Sequence, residues 1–224
     1  VADTKPISIS KLIAIPAVIT LAVTILRLVG ELKHWPAPWF SAAMGGGAAI
    51  VGITWLPIIF GPYFALKLAG AGAGPASAGK SIAYAFAALV VYVLACFLFT
   101  KAVAHPGSLT LLAFLLMLAA AFVTFPGWHA LGSALFAYAL AARIPVLIVM
   151  YLAMHGNGGA GWGTHYDVMP PTLAHAPLAL RYLYMAIMPQ LTMWIGWTVI
   201  VGAIFGTIVA AIARRGKQPA PVGA

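Results

Sequence analysis

The sequence predicts an all-α integral membrane protein, a polytopic bundle of about six transmembrane helices. Three observations predict it. Hydrophobic residues make up 63% of the 224-residue chain and charged residues 7%, against roughly 45–50% and about 25% in soluble domains. A water-facing surface cannot be built from so few charges, so lipid is the expected solvent. The apolar residues fall into six runs, near 12–32, 42–67, 81–101, 108–125, 128–154 and 188–213, close to the ~20 residues a spanning helix needs. The cations cluster at the ends of those runs, where they set orientation and meet lipid headgroups.

The first run ends in Arg27, Glu31, Lys33 and His34, and Pro36 and Pro38 stop it. Trp35 and Trp39 fit the aromatic belt of an interface. The second run passes through Gly45, Gly46 and Gly47 and carries Pro57, Gly61 and Pro62. A proline inside a helix removes a hydrogen bond and clashes with the preceding turn, so this helix is expected to be kinked or broken. "GAGAGPASAG", at 70–79, reads as a flexible connector. The third run closes on Lys101, and the turn at His105 and Pro106 leads into the fourth. The fifth contains Arg143 and Pro145, and a kink is expected there too. Residues 155–185 read as a long outer loop, with Trp162 and Tyr166 arguing against disorder and a short interfacial helix at its end. The last run is followed by Arg214, Arg215 and Lys217, then a flexible tail at 218–224. Residues 1–217 form a single transmembrane domain. Residues 1–30 lack the basic start and small-residue cleavage site of a secretory signal.

With six spans, Lys5, Lys11, Lys67, Lys80, Arg214, Arg215 and Lys217 fall on one side, and Lys33, Lys101 and Arg181 on the other. The positive-inside bias then places both termini in the cytoplasm of a bacterial-type inner membrane, with the 155–185 loop outside. The net charge of +9 belongs to these flanks, and no nucleic-acid-binding motif accompanies it. Small residues recur at helical spacing at Gly202, Gly206 and Ala210, at Ala43 and Gly47, and at Ala48 and Gly52. Such faces let helices approach closely in lipid, within the bundle or against a second copy or another membrane subunit.

Arg143 carries the sharpest functional signal. An arginine at the centre of a span costs at least ~2.5–3.5 kcal/mol on insertion scales, and it lies too deep to reach the interface. It is expected to face the bundle interior. The kink at Pro145 frees a carbonyl near Ala141 as one acceptor. The structural reading is an arginine locked by carbonyls or one carboxylate; the functional reading is a site for an anionic or carbonyl-bearing solute or lipid; a third reading is a contact to another subunit. Arg27 and Glu31, spaced i, i+4, form a local ion pair, or Glu31 reaches across to Arg143. Arg143, Glu31 and Arg27 are therefore the candidate substrate-binding residues, and Pro145, Pro57 and Pro62 the candidate kinks of a gate.

His34, His105, His155, His165 and His175 fall on the outer side with Asp167. Imidazole and carboxylate groups suit Zn or Cu. No HExxH, no His pair at i, i+4 and no cysteine ligand supports a metal motif, and the single cysteine, Cys96, excludes an internal disulfide. His105 and His129 fall on opposite sides, so there is no haem signal. The glycines after Gly156 lack the Lys-Ser/Thr of a phosphate loop, so there is no nucleotide signal. Three functions follow from these residues: a small transporter or channel-like protein built around Arg143; a non-catalytic accessory or assembly subunit of a larger membrane complex; and a membrane metal-binding protein or enzyme using the outer histidines.

Overall fold

The computed structural model describes residues 8–45, 49–102 and 107–215. Lys5, Gly46, Gly47, Ala48, His105, Lys217 and the tail at 218–224 lie outside these, as does the Arg215 side chain. The described residues form helices and connections, with no strand among them. In order they are α1 (Ile9–Leu32), α2 (Ala37–Phe40), α3 (Leu56–Gly70), α4 (Ala78–Ala102), α5 (Ser108–Phe122), α6 (His129–His155), α7 (Leu178–Tyr182) and α8 (Trp194–Arg215). Four helical stretches, Ile9–Leu32, Ala78–Ala102, His129–Gly159 and Leu178–Arg214, are long and apolar enough to cross a membrane. α3 and α5 have 15 residues each, or ~22 Å, less than the ~30 Å hydrocarbon core.

The helices are inside out relative to a soluble protein. The buried stripe of α1 contains Thr20, Thr24, Arg27 and Glu31, three or four residues apart on one face. Its outward face holds Ile15 and Val18, 67% and 66% exposed. Buried charge beside exposed β-branched residues is unfavourable in water and favourable in hydrocarbon. α4 repeats the pattern: it buries Ser81, Ala85, Ala88 and Tyr92 and exposes Phe86, Val90, Leu94 and Phe97.

α8 is the central helix and packs against α3, α4, α5 and α6. Its closest neighbour is α3, where a Cβ added at Gly61 would overlap the Gly202 backbone and one at Gly206 would crowd Gly61 and Ala65. Ala210 is buried as well. The Gly202, Gly206, Ala210 face is thus occupied within the chain, which is the bundle-packing reading of these small residues.

α1 and α6 run side by side in the same direction, joined by a 2.7 Å hydrogen bond between Thr20 Oγ1 and Tyr138 OH. One end of the bundle collects the short connections. There Trp128 Nε1 donates to the Ala73 carbonyl at 2.8 Å, Ser81 Oγ to Gly127 at 2.7 Å and Arg214 Nη1 to Pro75 at 2.9 Å. Lys11, Lys67 and Lys80 belong to this end. The opposite end, the loop face, carries residues 33–45 and 156–177, with Lys33, Lys101 and Arg181.

Two boundaries differ from expectation, and the prolines do not interrupt α3 or α6. The second run is helical only from Leu56; residues 41–55 are turns, bends and extended backbone where described. Pro57 falls in the first turn of α3, where a missing N–H is harmless, so it starts a helix and does not kink one. Pro62 lies within α3, which continues past it. α6 is also unbroken from His129 to His155 through Pro145. α1 and α8 pack against α6, and one lost hydrogen bond is tolerated within such a bundle. The outer loop stops at residue 177, eight residues earlier than expected, because α7 continues through π-helical turns at Leu183–Ile187 and Pro189–Met193 into α8. Pro189 donates no N–H and its ring crowds the carbonyl one turn back; wide i→i+5 turns make room for both.

Candidate functional site

Arg143 lies near the middle of α6, ~20 Å from either end, and is 4% exposed. Two neighbours accept from it, and both are distant: Nη1 is 3.4 Å from Gln190 Oε1, and Nη2 is 3.5 Å from Thr198 Oγ1. These exceed the usual range for N–H···O bonds. Nε has no hydrogen-bond partner. The guanidinium carbon stands 5.0 Å from the centroid of the Trp194 ring, a cation–π contact. The acid partners of the described ion pairs are all Glu31; no described carboxylate reaches Arg143. A guanidinium does not give up its proton in proteins, so a full positive charge sits here, and its partners among the described residues are neutral.

Gln190 is placed by the second π-helical turn, and its backbone belongs to Pro189–Met193. Its Nε2 points to the Met150 sulfur at 3.6 Å, a weak acceptor. Arg143 and Gln190 therefore present several strong donors that the protein itself satisfies poorly. Both border a cavity of about 350 Å³, within the usual size of small-molecule sites. Trp194, Val146, Met150, Met185 and Met193 line it together with Arg27, His165 and Tyr166. The irregular backbone at Gly52, Ile53 and Thr54 also borders it. Trp197 Nε1 anchors that segment by donating to the Thr54 carbonyl at 2.9 Å, and Gly52 passes so close to Arg27 that a Cβ would stand 3.0 Å from Nη1.

Arg27 is held very differently. Its Nε donates to Glu31 Oε1 at 2.8 Å and its Nη2 to the Ser41 carbonyl at 3.0 Å. Glu31 also receives the His165 backbone N–H on Oε2 at 2.8 Å, and His165 Nδ1 lies 2.6 Å from Oε1. Burial pushes the His165 imidazole below its ordinary pKa, against the opposing pull of Glu31. As the neutral tautomer it donates from Nδ1 to the carboxylate. Burial likewise raises the neighbouring Tyr166 phenol, whose OH donates to the Thr24 carbonyl at 3.3 Å. Asp167 shapes the turn that delivers His165: its carboxylate accepts the backbone N–H of Gly163 at 2.9 Å and of Thr164 at 2.8 Å. Sequence separation of 134 residues is closed by this contact, which ties the loop between α6 and α7 to the end of α1.

Of the residues singled out from sequence, Arg143, Arg27 and His165 border one cavity, and Glu31 sits behind Arg27 and His165. Glu31 pairs locally, not across to Arg143, and the acceptors nearest Arg143 come from Gln190 and Thr198, not from the carbonyl near Ala141. The histidines do not converge. His34 and His175 are exposed, His155 Nδ1 is 2.8 Å from the carbonyl of Tyr151 in its own helix, and Asp167 is committed to its own turn. Among the described residues no three of His, Cys, Asp and Glu come together; His105 is outside them. Gln190, Trp194 and Thr198 were not among the sequence candidates. Their one signal is an amide directly after Pro189 inside an apolar run.

Buried polar stripes, apolar outward faces and four membrane-length helices define a multi-span helical membrane protein. Compared with known family models, with curated proteins and with solved structures, the chain finds no match in any of the three.

Proposed function

We propose that the protein is a small membrane transporter with an internal anion-binding site centred on Arg143. The observation that carries this reading is a buried guanidinium at mid-helix that borders a cavity and has no acidic partner among the described residues. A cation desolvated without a countercharge is unfavourable by several kcal/mol, and an anionic solute entering the cavity offsets it. Non-helical backbone at 49–55 along the same cavity adds support. Irregular chain within a membrane domain is tolerated where it lines a cavity or is buried in protein, and interrupted helices are a recurring part of transporter binding sites.

In this reading the chain crosses six times, with the described residues 49–55 extending the crossing that α3 makes. Both termini are cytoplasmic in a bacterial-type inner membrane, because Lys11, Lys67, Lys80 and Arg214 share one end and outnumber Lys33, Lys101 and Arg181 at the other. Arg27, Glu31 and His165 then act as a closure at the loop face, and Pro62 and Pro145 mark where α3 and α6 yield during opening. The test is charge movement in proteoliposomes on a solid-supported membrane, using benzoate, lactate and octanoate as probes. The expected result is a current with at least one acid that falls about tenfold or more in Arg143→Gln. A folded Arg143→Gln protein that carries the native current overturns the reading.

A further inference from the structure

We infer that the solute is a monovalent organic anion with an apolar body, of the kind represented by a medium-chain monocarboxylate. This rests on the transporter reading and specifies its site. Three features of the cavity set the class. The first is charge. Arg27 and Arg143 border the cavity, but Glu31 neutralises Arg27 and burial favours neutral His165. Among the described residues bordering the cavity one positive charge is left over, at Arg143, and one negative charge balances it. A dianion brings a second charge for which the described lining offers neutral hydroxyls, indole, sulfur and hydrocarbon and an Arg27 already paired with Glu31, so its desolvation is poorly offset.

The second feature is donor geometry. Arg143 offers Nη1, Nη2 and Nε, and its acceptors stand at 3.4 Å and 3.5 Å with none at Nε. Gln190 Nε2 has only the Met150 sulfur at 3.6 Å. Two neighbouring groups with unsatisfied N–H donors match the two oxygens of one carboxylate, which a guanidinium binds through paired hydrogen bonds. The third feature is the wall beyond them. Met150, Met185, Met193, Val146, Ile53 and Phe114 border the cavity. Methionine side chains adapt to the shape they pack against, so the wall selects for apolar character and tolerates variation in the body. A small hydrophilic anion leaves this surface unfilled; an alkyl or aryl acid covers it.

The test is equilibrium binding to the full chain in phosphatidylcholine nanodiscs, with empty nanodiscs subtracted. The probes are octanoate, butanoate, octanedioate, octanol and inorganic phosphate. Octanoate is expected to bind most tightly, with butanoate weaker by about tenfold or more because four methylenes are missing. Octanedioate and phosphate are expected at least about tenfold weaker, and octanol weaker by about 10- to 100-fold for want of a charge-assisted hydrogen bond. Arg143→Gln is expected to bring octanoate down to the level of octanol. Phosphate or octanedioate binding as tightly as octanoate, with Arg143→Gln abolishing all of it, overturns the apolar monoanion and leaves the anion site standing. Octanoate binding that is absent, or unchanged in a folded Arg143→Gln, overturns both. Should that variant fail to fold, the ranking of the five probes on the native chain decides the class alone.

Discussion

Two buried arginines stand in the same molecule, equally hidden from solvent, and they are treated in opposite ways. Arg27 has a carboxylate at 2.8 Å, a carbonyl at 3.0 Å and a loop folded over the pair through His165. Arg143 has an amide oxygen, a hydroxyl and an indole face, none of them charged and none at close hydrogen-bond distance. The first arrangement is closed: every charge has its opposite, and the assembly fastens α1 to the loop after α6. The second is open, a charge kept without its opposite among the described residues, beside a cavity. Burial alone does not separate a structural cation from a binding one; the local sum of charge does.

That contrast predicts opposite signs for mutations at the two sites. The largest loss is expected at the closed site. Glu31→Ala removes the countercharge of Arg27 and the acceptor of His165, and should lower unfolding stability by about 3–5 kcal/mol, read by denaturant unfolding in a fixed detergent. Next comes a gain at the open site. Arg143→Met removes an unpaired buried charge and should raise stability by about 1–2 kcal/mol in the same assay while abolishing anion binding; a loss comparable to that of Glu31→Ala would make the two sites alike and break the comparison. Asp167→Ala should cost about 1–2 kcal/mol, because two backbone N–H groups lose a charged acceptor and the turn carrying His165 loosens. The smallest effect is in pH. The unfolded chain takes up the His165 proton near its ordinary value of 6.5 and the folded chain only at lower pH. The unfolded state therefore binds more protons in that window, and the contribution is complete above pH 6.5 and lost as pH falls through the folded value. His165→Asn keeps a donor near Glu31 without titrating, so its stability should vary less between pH 7 and pH 5 than that of the native chain.

Much of the architecture was legible because hydrophobic runs and their charged ends respond to the bilayer before any tertiary contact forms. The positions of α1, α4 and α6 follow from those runs, and the interior placement of Arg143 follows from its depth in one of them. The proline readings were less successful. Pro57 and Pro145 look alike in sequence, yet Pro57 opens α3 and Pro145 is carried inside an intact α6, because the outcome depends on position within the turn and on neighbouring packing. The end of the outer loop was misplaced because a π-helical connection has no distinctive pattern: "RYLYMAIMPQL" reads equally as an interfacial helix and as the start of a span. Gln190 was hidden for the same reason, since only the wide turn at Pro189 determines which way it faces. The His165–Glu31 contact could not be seen at all, because nothing in "GTHYD" encodes a partner 134 residues earlier.

The order in which the chain is made gives the open arginine a history. Thr198 and Gln190 follow Arg143 by 55 and 47 residues, so α6 leaves the ribosome several seconds before the side chains nearest its guanidinium exist, at ~5–20 residues per second. During that interval the charge has neither Trp194 nor the amide beside it. The neighbours that Arg143 has in the folded bundle, Gln190, Trp194 and Thr198, thus reach it only after α6 has been made.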